Sequence, residues 1–253
     1  MIKQDENLLN IIITGYYYQK NFGDELFLDI AKQLFPNKIF KNKLNRIEYL
    51  KIEDINRNDV MVKCDKLILF GGEVLNDYFL DRILEFKLKH PNCEFYAIGV
   101  NTNQNFKEIQ NKLNIFDRII LRNKQDYNYL KNIYGDYCLY APDLVFINNY
   151  KKPLMTYFSK KNVGYFLAQP IYCSVVDKNK YIKSIRQSID YWLNKDYTIY
   201  FFPMCCNSKQ SEDDIFLIDK VIESYNITLK TKFKYFINNN SIINYLPYMK
   251  YNM

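Results

Sequence analysis

The stretch "NIIITGYYYQKNFGDELFLDIAKQLF", residues 10–35, decides how this chain folds. An apolar, β-branched run, "LLNIIIT" (8–14), ends at Gly15, and Phe27, Ile30, Ala31 and Leu34 then recur at helical spacing. Such a continuous apolar run is the kind buried in a parallel sheet, and a helix directly after it opens a βαβ unit. Gly15 and Gly23 bracket the loop between them, in a chain with only seven glycines.

The same alternation continues outward. "DKLILF" (65–70), an amphipathic stretch with Leu75, Phe79, Ile83 and Phe86, and "CEFYAIGV" (93–100) follow. A helix near 104–113, the strand "DRIILR" (117–122), a helix with Tyr127, Leu130 and Ile133, and "YCLYAPDLVFI" (137–147) complete the first part. "NNYKKP" (148–153) reads as a linker. Beyond it the pattern restarts with "NVGYFLA" (162–168), a helix over 178–194 and "YTIYFFP" (197–203). A helix at 211–225, a strand "FKYFI" (233–237) and a helical piece from Ser241 follow. Strands alternating with helices predict an α/β fold with mostly parallel sheets. We expect two Rossmann-like doubly wound domains, 1–150 and 151–253, the second one short. An open sheet edge after residue 203 predicts an oligomer or a mobile tail beyond about residue 225.

Composition narrows the chemistry. Apolar residues make up 48% and charged residues 25%, as in ordinary globular proteins. The net charge is +7, but the cations are 29 Lys against 6 Arg, beside 30 Asn and 30 Ile, the mark of an AT-rich genome. Scattered Lys without Arg clusters argues against nucleic acid and suits an anionic small substrate equally well. The opening "MIKQDENLLN" lacks a signal-peptide pattern, and no run reaches the length of a membrane span, so a cytoplasmic location is expected. The six cysteines show no C-x-x-C spacing, and His90 is the only histidine. A zinc site or a Ser-His-Asp triad therefore lacks material, and no metal or cofactor is expected.

In open α/β sheets ligands gather beyond the carboxyl ends of the strands. Three loops stand there. In "TGYYYQKNFGDE" Gly15 closes the first strand, and Gly23 lets backbone approach a ligand at a helix N-terminus, where anions are favoured. Asn21 at the N-cap with Asp24 at N3 also forms a near capping box, so capping and ligand contact both remain open for Asp24. The spacing is neither G-x-G-x-x-G nor a Walker loop. In "LFGGEVLND" (69–77) Gly71 and Gly72 form a turn without side chains, which plain turn chemistry also explains. In "IILRNKQDYNYL" Arg122 ends a strand, free to fork onto a phosphate or carboxylate or to pair with a surface acid. Asp143, in "APDLVF", turns before a last strand and either caps it or lines the same cleft. Further on, Ser211 is the expected N-cap of the helix at 211–225, with Asp214 at N3. Cys205 and Cys206 read as small, partly buried groups.

Taken in order, "ITGYYYQKNFGDELFLDI" with its N-x-G-D-E element, "LILFGGEVLND", "RIILRNKQDYNYLKNIYG" and "APDLVF" resemble the polysaccharide pyruvyl transferase family. The resemblance extends more weakly from residue 160 onward. It implies a glycosyltransferase-B-like arrangement and transfer of the enolpyruvyl unit of phosphoenolpyruvate to a sugar of a surface glycan. It would put Asn21, Gly23, Asp24, Gly71, Gly72 and Arg122 at the cleft, with Arg122 on the phosphate or carboxylate of the donor. Catalysis is expected of Arg122 and Asp24, and substrate contact of Gly15, Asn21, Gly23, Gly71 and Gly72. Two departures stand out. Glu73 replaces a third small residue, and the family's Arg-x-His element of the second domain is missing from the sequence, which stops at Met253. The resemblance thus implies a shortened, inactive member, a piece of a split protein, or a member that depends on a complementing chain. A degenerate binding or scaffold protein and a nucleotide-sugar glycosyltransferase are the alternatives.

Overall fold

The computed structural model describes residues 8–36, 39–40, 43–57, 63–102, 104–147, 161–170, 177–206, 213–235 and 251–252. The linker 148–153, Ser211 and the helical piece from Ser241 lie outside them. The chain divides into two compact units, one of residues 1–18 and 23–149, the other of residues 19–22 and 150–253.

In the first unit the strands are β1 (Leu8–Gly15), β2 (Ile39–Phe40), β3 (Lys43–Lys51), β4 (Lys66–Gly72), β5 (Glu94–Val100), β6 (Arg118–Leu121) and β7 (Cys138–Tyr140). The helices are α1 (Phe22–Leu34), α2 (Asp77–Lys89), α3 (Phe106–Leu113) and α4 (Lys124–Tyr134). The sheet order is β2-β3-β1-β4-β5-β6-β7, parallel throughout except the β2–β3 pair. From β1 the chain moves out to β3, then crosses back over β1 to β4 and continues away. The order therefore reverses between β1 and β4, whose carboxyl ends carry Gly15 and Gly71–Gly72. Such a reversal opens a crevice where ligands bind in α/β sheets.

β3 is a strand that the sequence reading missed, although it pairs with β1 along its whole length. Its exposed face carries the Arg46–Glu48 ion pair, and these charges break the apolar run that marks the inner strands. β4, by contrast, is buried from Leu67 to Gly72. The core packs Leu67, Leu69, Phe79, Leu80, Ile83, Phe86, Phe95, Ala97, Ile109 and Leu121 together. Each large apolar side chain so buried contributes about 1.5–3 kcal/mol. α1 buries Phe27, Ile30 and Ala31 at the predicted helical spacing, together with Leu26 and Leu28. Asn76, Asn105 and Asn123 cap α2, α3 and α4 through their side chains. His90 closes α2 by donating its amide to Phe86 and stacks on that residue's ring, a structural role. Residues 144–147, expected as a strand, form a 3-10 turn instead, held by Asp143 accepting from the Val145 amide.

The second unit has β8 (Asn162–Tyr165), α5 (Lys178–Leu193), β9 (Thr198–Phe201), α6 (Asp214–Ile222), α7 (Ile227–Lys230), β10 (Phe233–Tyr235) and β11 (Tyr251–Asn252). Its sheet is parallel, in the order β10-β9-β8-β11. Val163, Ile189, Ile199, Phe201, Ile218 and Val221 form its core. α6 starts later than expected: its cap is Asp213, accepting from the Ile215 amide, rather than Ser211. At the far edge of this sheet β11 pairs with β8; of the segment beyond about residue 225 for which an oligomer or a mobile tail is expected, residues 236–250 lie outside the described ones.

Gly71 tests the packing. It sits at φ +73°, and a Cβ there would lie 2.3 Å from the Phe27 ring. Gly71→Ala is expected to cost roughly 3 kcal/mol in urea unfolding, from left-handed strain plus overpacking. Gly135→Ala, at φ +57° with open space around it, should cost only about 1 kcal/mol.

Candidate functional site

The reversal between β1 and β4 gathers three loops of the first unit. The Gly71–Gly72 turn brings backbone against α1, with Gly72 at φ +86° and its missing Cβ position 3.2 Å from Asp24 Oδ1. Asp24 and Glu25 occupy the first turn of α1. Burial pushes the Asp24 carboxyl up to about 7; the Glu25 charge adds to the rise, Arg122 opposes it, and Glu73 adds a little more. A carboxyl group in this state carries a proton about half the time near neutral pH.

Arg122 follows β6 and is half-buried. Its Nε donates to Asn101 Oδ1 at 2.5 Å, its Nη1 donates to Asp143 Oδ2 at 2.9 Å, and its guanidinium lies 5.3 Å from the Phe27 ring centre. The Nη2 group makes no hydrogen bond among the described residues. Sequence reasoning missed Asn101, which holds the three loops together. Its amide donates to the Gly72 carbonyl, its carbonyl accepts from Leu75, its Nδ2 donates to Glu73 Oε1, and its Oδ1 accepts from Arg122. Only 7% of Asn101 is exposed. Its position just past β5 was a usable signal, lost among 30 asparagines. Asp126, in the first turn of α4, is raised by burial and by the Glu73 charge, against a backbone hydrogen bond from Thr102. Carboxylates thus outnumber the one guanidinium. Among the described residues no group of three or more His, Cys, Asp or Glu could hold a metal ion.

The expected site residues divide. Asp24, Gly72 and Arg122 meet in this network, and Gly71 supports it by admitting Phe27. Gly23 stands half-buried at the start of α1. Gly15 is buried beneath Tyr17, whose hydroxyl donates to the Phe70 carbonyl at 2.9 Å; a Cβ on Gly15 would lie 2.8 Å from that ring. Gly15 therefore makes room for a core tyrosine. Asn21 belongs to the second unit, where it bridges to Cys205 while Phe22 donates to Met204 and Cys206 donates to Lys20. Tyr18 and Lys20 hold φ of 61° and 56°, strained backbone for residues with a Cβ.

In the second unit the corresponding edge is organised by Asp214, only 2% exposed. Its Oδ1 accepts from the Gln169 amide beyond β8, and its Oδ2 from the Met204 and Cys205 amides beyond β9. Burial raises its pKa against these three bonds. A separate cleft of about 310 Å³ in this unit is lined by Lys178, Lys220, Tyr181, Phe216 and neighbours, with no carboxylate among the described lining residues. The ionisable network of the first unit, and not this cleft, gathers groups fit for proton transfer.

A family model described as polysaccharide pyruvyl transferase matches residues 21–250 of the 253-residue chain. No curated protein matches, and no solved structure does.

Two outcomes follow from this geometry. Because the folded state binds the Asp24 proton more tightly than the unfolded chain, that contribution to stability is full below about pH 4 and is lost as pH rises through about 7. Asp24→Asn removes it, so the variant should gain on the parent across this window, by at most about 4 kcal/mol at 1.36 kcal/mol per pKa unit, in urea titrations at pH 4, 6 and 8. Asp214→Asn should cost roughly 2 kcal/mol in urea unfolding, because its NH2 must face backbone donors on one side.

Proposed function

Because the chain belongs to the polysaccharide pyruvyl transferase family, we propose that it transfers a pyruvyl group from phosphoenolpyruvate to a sugar of a surface glycan, with Asp24 and Arg122 as the reacting pair. The observation that carries the reading is the Asp24 carboxyl set against the bare backbone of Gly72 while the Arg122 guanidinium lies on the neighbouring Phe27 ring, at the carboxyl edge of the sheet. In forming a pyruvate ketal, the methylene carbon of the donor takes a proton and its C2 becomes electron-poor. One sugar oxygen adds to C2, the bond from C2 to the phosphate oxygen breaks, and the second sugar oxygen adds in its place. An acid with a pKa near the working pH is matched to the first step; of the two hydroxyl protons released, one returns to Asp24 and the other leaves on the phosphate. Arg122 would exchange its bond to Asp143 for the donor's anion, with Nη2 already available. Asp143, Glu73 and Asp126 are then placed to accept hydrogen bonds from sugar hydroxyls.

On this reading the two compact units are the Rossmann-like domains of a glycosyltransferase-B-like protein, and the reaction runs in the cytoplasm, where the donor is made. Among the described residues, no helix is long and apolar enough to cross a membrane.

The test is a thermal-shift titration with phosphoenolpyruvate, beside a nucleoside diphosphate. At a hundredfold its dissociation constant a specific ligand adds roughly 2.7 kcal/mol of apparent stability. We expect a shift with phosphoenolpyruvate that Arg122→Ala abolishes. A stronger response to the nucleoside diphosphate would favour a glycosyltransferase. A phosphoenolpyruvate shift that survives in Arg122→Ala would move the donor elsewhere, with the Lys178–Lys220 cleft the next place to look.

A further inference from the structure

At the amino end of the first unit's sheet, remote from the loops that carry Arg122, two cysteines meet. Cys64 stands just before β4 and Cys93 just before β5, adjacent parallel strands in which Lys66 lies opposite Glu94. Their Sγ atoms are 3.6 Å apart, with the Cys93 thiol directed at Cys64, and both residues are buried. Cys64 also donates to the Lys66 carbonyl at 3.2 Å. Neither residue belongs to the strand ladder; the Cys93 amide donates to the His90 carbonyl at 3.1 Å. A disulfide requires about 2.05 Å between the sulfurs, which leaves an approach of about 1.5 Å.

We propose that Cys64 and Cys93 form an oxidisable dithiol that closes into a disulfide across the amino ends of β4 and β5. The oxidant is a small disulfide such as glutathione disulfide. One thiolate attacks it and releases one glutathione thiol, leaving a mixed disulfide. The second thiolate then attacks the protein sulfur and releases the other. Two protein thiols are oxidised, one oxidant disulfide is reduced, and the two protons end on the departing thiols. The contact with the Cys64 thiol, and burial after it, hold Cys93 well above the usual thiol range, so the exchange is slow in the native state and runs through local opening. In a reducing compartment the dithiol is the resting form. The other described cysteines offer no comparable pair: Cys138 is buried elsewhere, and Cys205 and Cys206 are sequence neighbours.

The closed loop would contain β4 and α2, and restricting it in the unfolded chain should raise the thermal midpoint by roughly 5–10 °C. The full chain is incubated with glutathione disulfide, alkylated in denaturant and digested without reduction. The expected result is a peptide joining residues 64 and 93, abolished by reduction and absent in Cys93→Ser. Should that variant fold poorly, the peptide map of the parent chain decides alone. Full alkylation of both residues after long oxidation, or a bond from either to another cysteine, would overturn the proposal. Neither result depends on the ligand of the carboxyl-edge site.

Discussion

The ring of Phe27 lies against the bare backbone of Gly71, and much of the first unit's site depends on that contact. With any side chain at residue 71, α1 could not approach β4 so closely. Because it does, Asp24, one turn earlier on α1, comes to the second glycine of the same turn, and the Arg122 guanidinium comes to the same aromatic ring. One packing constraint therefore places an acid and a cation together at the reversal of the sheet. Burial at this place raises the Asp24 carboxyl to about 7.

This arrangement works against stability. A carboxyl held near neutrality beside Glu25 and Glu73 is a group the fold would hold more comfortably as an amide, and such groups concentrate where chemistry needs them. Arg122 only partly relieves the charge, because Asp143 and Asn101 already engage it. Asn101 compensates by tying the Gly72, Leu75 and Glu73 segments into one network. Full hydrogen bonding makes a buried polar group an asset.

The second unit solves a related problem with Asp214. A buried carboxylate at the first turn of α6 accepts three backbone amides from the loops beyond β8 and β9, so it joins the two strands' exits without contributing a group to solvent. The same economy appears in the caps. A chain unusually rich in asparagine uses Asn76, Asn105, Asn123 and Asn226 to open four helices, so a compositional bias becomes local structure.

The sequence by itself determined the elements whose signal is local. The apolar run of β1, the spacing of α1 and the buried strand β4 were legible, because periodicity and turn chemistry act over a few residues. The N-x-G-D-E element and the loops after it also carried the family. Tertiary structure alone decided what depends on neighbours distant in sequence. β3 is a strand because β1 offers it a ladder, despite its charged face. Asn101 matters because it meets Arg122 from 21 residues away. Gly15 serves Tyr17, and Asn21 sits with the second unit, though both read as loop residues of one site. The state of Asp24 was likewise invisible in sequence, since desolvation is a property of the surroundings and not of the residue.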